Sequence, residues 1–126
     1  MHKISSGLIY ADILTARQAL NTYKESPKLK DIKNICAYHL QQATEKLIKS
    51  QIYSSGFKYN DRDLYTHNIA VLIAYAEKNN ISVEIPQFIE TNSHIITSWE
   101  ADMIYIFQFV QILWRNICRL SMNGTN

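Results

Sequence analysis

From Lys28 to Ser55 the chain has neither glycine nor proline. Across that stretch, apolar residues recur at Ile32, Ile35, Cys36, Leu40, Ala43, Leu47 and Ile52. Steps of three and four place these side chains on one face of an α-helix. With no helix breaker inside it, the segment predicts one helix from about Leu29 to Ser55, with Gly56 as its C-terminal cap. Lys33, Glu45, Lys46 and Lys49 are expected to mark its wetted side. A helix of this length cannot bury its stripe alone, so the rest of the chain must supply helices to cover it.

The remaining sequence offers them. Helix one is expected from Ser5 or Ser6, both good caps, to about Tyr23, with Leu8, Ile9, Ile13, Ala16, Leu20 and Tyr23 buried. Asp12 and Lys24 suit its dipole, and Ser26-Pro27 closes it. Helix three is expected to start near Thr66, to carry Ile69, Leu72, Ile73 and Ala76 on its apolar face, and to stop at Asn79-Asn80. Residues 81–85 alternate like a strand, but a lone strand has no pairing partner, so they read as loop. Pro86 opens helix four at its first position; Phe88, Ile89, Ile95, Ile96 and Trp99 give its apolar side, and Asn92-Ser93 weaken its middle.

Helix five is expected from Trp99 or Glu100 to Leu120, apolar over most of its circumference. Such a helix needs cover on two sides, one from the bundle and one from a second copy of the chain, with Phe109, Ile112 and Arg115 at the dimer interface. The alternative is that it lies at the centre of its own bundle. Either way the fold class is all-α: an up-and-down bundle of about five helices in one domain spanning residues 1–126. Only three glycines and two prolines argue against an all-β fold, which would need many tight turns.

Charge is unevenly placed. Residues 24–62 carry eight Lys or Arg against four Asp or Glu, a balance of +4 in a chain of net +2, so the remainder sums to −2. A basic region of this kind suits phosphate or an acidic partner, and equally an ordinary solvated face. Gln42, Lys46 and Lys49 are the candidate phosphate-binding residues, on adjacent turns of helix two. The competing reading is a salt-bridged helix face, with Glu45 and Lys49 at i,i+4. His39, on the edge of the stripe, reads first as a packed, hydrogen-bonded histidine.

Cys36 and Cys118 fall on apolar stripes and are expected as buried thiols in a reducing cytoplasm. No His/Cys cluster has metal-ligand spacing, and no metal or cofactor is expected. There is no secretion signal, and the run from Met103 to Trp114 is too short to span a bilayer, so the expectation is a cytoplasmic protein without membrane contact.

The stretch Tyr38-His39-Leu40-Gln41-Gln42-Ala43-Thr44-Glu45-Lys46-Leu47-Ile48-Lys49 resembles the signature of HEPN domains, and Tyr65-Thr66-His67-Asn68-Ile69 resembles the Thr-His start of that family's third helix. The resemblance implies a small helical module, HEPN-like in fold, that binds nucleotide or RNA. It also implies a minimal nucleotidyltransferase as partner, in a toxin–antitoxin-like pair. Family members that cut RNA without a metal carry an Arg, four to six residues, then a His. There the Arg would stabilise charge on phosphorus and the His would move the 2′-hydroxyl proton. Arg62 and His67 match that spacing and are the candidate catalytic pair, though they fall before helix three. In the last helix Arg115-Asn116 begins like the family motif, but Leu120-Ser121-Met122 follow with no His. Ser98-Trp99-Glu100 lacks the Arg-Tyr pair that relatives often place at the approach to the last helix. A scaffold without ligand is the third possibility.

Overall fold

The computed structural model describes residues 6–94 and 106–115. Among them there are helices, turns and loops and no strand. Helix α1 spans Ser6–Glu25 and α2 spans Lys30–Ser54. A 3₁₀ turn follows at Asp61–Leu64, then α3 at Ile69–Lys78 and α4 at Gln87–Thr91. Residues 106–115 are helical and are called α5. Candidate residues Ser5, Ile95, Ile96, Trp99 and Cys118 lie outside the described residues.

The short link between α1 and α2 makes them a helical hairpin. Asp12, early in α1, meets Lys46, late in α2, as antiparallel packing requires. Ile9, Ile13, Ala16 and Leu20 of α1 bury against Cys36, Leu40, Ala43 and Leu47 of α2. Ile89 of α4 and Ile106, Phe109, Val110 and Leu113 of α5 complete this first core. Leu8 and Ile35, expected inside, are 54% and 44% exposed. Each sits one residue, about 100° of helical rotation, from a buried neighbour, Ile9 and Cys36 respectively.

The far end of α2 turns its other side inward. Ile48 and Ile52 join Leu64, Ile69, Leu72, Ala76 and Ile81 in a second core. Thus α2 is shared by two cores, which overturns the expectation of one wetted side. Glu45 is buried at 5% exposure, because the segment before α3 covers it.

Local chemistry fixes the ends. Gly56 follows α2 with φ +84°, a conformation that leaves room around a Cβ yet strains any L side chain. Helix α3 starts three residues later than the expected Thr66: Asn68 caps it, its side-chain oxygen accepting from Val71 N at 3.2 Å. Thr66 instead accepts from Asn68 N. The end of α3 is a Schellman motif, with Asn80 at φ 55°, Asn80 N bonded to Glu77 O and Ile81 N to Ala76 O. Residues 81–85 are indeed loop. Pro86 precedes α4 as its N-cap rather than opening it as the first helical residue, and Asn92 ends the helix after five residues.

In α5 one of the three expected interface residues is corrected. Phe109 is fully buried within the protomer and meets Phe88 edge-on at 5.0 Å, so it offers no surface to a second copy. Ile112 is half-buried against the first core, and Arg115 is exposed. The broad apolar side of α5 is covered in part by cations of α1: Arg17 lies over Trp114 at 4.2 Å and Lys24 over Phe107 at 4.1 Å.

Candidate functional site: the polar rows of helix α2

Residues 39–49 of α2 carry two rows of polar side chains beside the core stripe. Gln41, Glu45 and Lys49, spaced four apart, form one row along a single side of the helix. Gln41 Nε2 donates to His67 O at 3.0 Å. Glu45 accepts from Lys49 Nζ at 2.8 Å and from His67 Nδ1 at 3.0 Å. One buried carboxylate therefore holds a lysine of its own helix and the imidazole of the segment entering α3. Gln41 Oε1 is buried and finds no donor among the described residues, which leaves the seam one acceptor to spare.

His39 and Lys46 form the second row, on the side facing α1. His39 Nδ1 donates to Asp12 Oδ1 at 2.9 Å, and Lys46 Nζ donates to Asp12 Oδ2. Asp12, read from the sequence as complementing the α1 dipole, is a buried carboxylate joining the two long helices. A signal for it was present: Asp12 is three residues after Ile9 and four before Ala16, on the face that packs against α2. His39 matches its reading as a hydrogen-bonded, half-buried residue, with Tyr38 edge-on to its ring at 5.2 Å.

These contacts alter the electrostatics of the candidate phosphate-binding residues. Lys46 and Lys49 retain 28% and 14% of their side-chain exposure, and each ammonium already has a carboxylate. To bind a phosphate, either lysine would have to share or leave that partner and expose a buried acid. Gln42 is half-buried between the rows.

Arg62 and His67 occupy different settings. Arg62 is exposed on the 3₁₀ turn, and among the described residues its guanidinium has no ion-pair partner. His67 keeps 76% of its side-chain exposure while Glu45 fixes Nδ1, leaving Nε2 available. Between them Tyr65, the first residue of the Tyr65-Thr66-His67-Asn68-Ile69 stretch, is 92% exposed.

Desolvation governs the dry side of α2, where burial pushes the Cys36 thiol up to about 12. Among the described residues no group of three His, Cys, Asp or Glu side chains is placed to hold a metal, and no helix is long and apolar enough to cross a membrane.

In comparisons with known proteins, the chain matches no family model, no curated protein and no solved structure.

Proposed function

We propose that this chain is a HEPN-type helical module that binds single-stranded RNA, or a nucleotide within it, through the segment 60–68. The observation that carries this reading is Tyr65, 92% exposed in a segment otherwise fastened down. Leu64 before it is buried, and His67 after it is tied to Gln41 and Glu45. The anchored neighbours fix where the exposed ring is presented, and stacking of a base on such a ring contributes about 1–3 kcal/mol. Arg62 stands ready for a phosphate, because a guanidinium can meet two phosphate oxygens at once. The resemblance to HEPN domains adds a minimal nucleotidyltransferase as the protein partner of such a module.

The Glu45–His67 hydrogen bond favours a second reading, metal-independent cleavage of RNA by Arg62 and His67. A carboxylate on Nδ1 orients an imidazole and leaves Nε2 to take up a proton, as a general base needs.

One pair of assays separates the two. Fluorescence anisotropy with a short labelled RNA should show binding that weakens with salt, and by roughly tenfold in Tyr65→Ala and Arg62→Ala. In EDTA the RNA should remain intact with both wild type and His67→Ala. Cleavage by wild type that disappears in His67→Ala would replace the binding reading with the catalytic one. Equal affinity in wild type, Tyr65→Ala and Arg62→Ala would remove the proposed surface.

A further inference from the structure

A second locus on the same loop has a different chemistry. A surface pocket of about 350 Å³ lies between the segment after α2 and the C-terminal end of α3. Tyr65, Arg62 and His67 are not among its lining residues. Its size falls in the range of small-molecule sites.

Two aromatic rings contribute to the wall. Phe57 and Tyr75 meet edge-on, with centroids 6.2 Å apart at 82°, an arrangement that leaves ring surface for a planar guest. Lys58 and Lys78 reach the pocket from separate elements. Neither has a carboxylate within ion-pair distance among the described residues, in contrast to Lys46 and Lys49. Two uncommitted ammonium groups at one concavity suit a phosphate.

The remaining groups narrow the ligand. Asp63 also lines the pocket, and its side chain has no donor among the described residues. A carboxylate beside two lysines disfavours a bare polyanion and favours a molecule that brings hydroxyl donors along with its phosphate. Two amides are set in fixed orientation. Asn60 Oδ1 accepts from Arg62 N at 2.9 Å, which leaves its NH₂ to donate; Asn79 Nδ2 donates to Tyr75 O at 2.8 Å, which leaves its oxygen to accept. A prepositioned donor and acceptor beside aromatic surface complement the edge of a purine.

We propose that this pocket, formed by Phe57, Tyr75, Lys58, Lys78 and Asp63, is a binding site for a purine nucleoside monophosphate. The base lies against the Phe57 and Tyr75 rings with its edge toward Asn60 and Asn79. The ribose hydroxyls donate to Asp63, and the phosphate is held by Lys58 and Lys78. This assignment does not depend on the RNA surface at Tyr65.

The test is calorimetric titration of the full chain with 5′-AMP, adenosine, inorganic phosphate and 2′,3′-dideoxy-AMP. The expected result is saturable binding of 5′-AMP that is tighter than that of adenosine or phosphate. The Lys58→Ala/Lys78→Ala double variant should weaken 5′-AMP by roughly tenfold or more at unchanged melting temperature. Dideoxy-AMP should bind more weakly than 5′-AMP to wild type, and the difference should vanish in Asp63→Ala, which removes the accepting oxygens. Absence of 5′-AMP binding at millimolar concentration, phosphate binding as tightly as 5′-AMP, or affinity unchanged in the double variant would each overturn the proposal. Tyr65→Ala should bind 5′-AMP like wild type; loss of 5′-AMP binding there would place the nucleotide on the RNA surface instead.

Discussion

Lys46 and Lys49 on α2 and Lys58 and Lys78 around the α3-end pocket are the same ion in sequence and differ in what they can do. The α2 lysines stand against Asp12, buried where α1 packs on α2, and Glu45, buried beneath the segment entering α3. Lys46 thereby joins α2 to α1, and Lys49 neutralises a buried carboxylate of its own helix. The pocket lysines have no such partner among the described residues, so their charge faces outward. A basic motif therefore identifies an anion site only when nothing in the fold has already neutralised it.

Four experiments probe this contrast. The largest effect should come from the dry side of α2. With its thiol pushed up to about 12 from an ordinary 9.0, Cys36 holds on the order of a thousandfold less thiolate at pH 8 than an ordinary cysteine. In a Cys118→Ser background, thiol labelling of the folded chain should be slower by that order and should accelerate in urea. The sign of the linkage is set by the raised folded value: the folded chain holds the proton more tightly, so this contribution is complete below pH 9 and is lost as pH rises toward 12. Fast labelling of the native protein would mean the α1–α2 seam is wet and the contrast overstated.

Asp12→Ala should come next. It leaves Lys46 and His39 without their shared carboxylate, and because both retain some exposure the cost should be about 2 kcal/mol in urea unfolding, below the usual range for a fully buried pair. A variant as stable as wild type would demote Asp12 to a surface contact. Glu45→Gln should cost less, about 1 kcal/mol, since the amide oxygen still accepts from Lys49 or His67. It should also leave Lys49 without a counter-charge and raise anion affinity at α2; unchanged affinity would show that charge pairing is not what restrains that lysine. Smallest of all, Lys58→Ala and Lys78→Ala should each change stability by no more than about 0.5 kcal/mol, as exposed side chains without partners do.

The sequence made the long helix legible because its apolar period and lack of breakers agree. Asn79-Asn80 was legible as a stop for the same reason: local chemistry and local structure coincide there. Asn92 was not, since it read only as a weak point in the middle of helix four and instead caps the end of α4. What could not be read from one segment was which neighbour would cover which side. Glu45 looked solvated until residues 65–68 folded over it, and Asp12 looked like a dipole partner until α1 met α2. Phe109 looked like interface until Phe88 and the rest of the first core closed around it. The α3-end pocket draws on residues about twenty positions apart, Lys58 with Lys78 and Phe57 with Tyr75, and no local pattern joins them.

The α2 lysines are committed within the fold and the pocket lysines are not. Brief acetylation of the native chain, with each lysine quantified by mass spectrometry, tests it directly. Lys58 and Lys78 should react at the rate of an unfolded control, and Lys46 and Lys49 should be strongly protected until the chain is denatured. Native Lys46 and Lys49 reacting as fast as Lys58 and Lys78 would contradict the account.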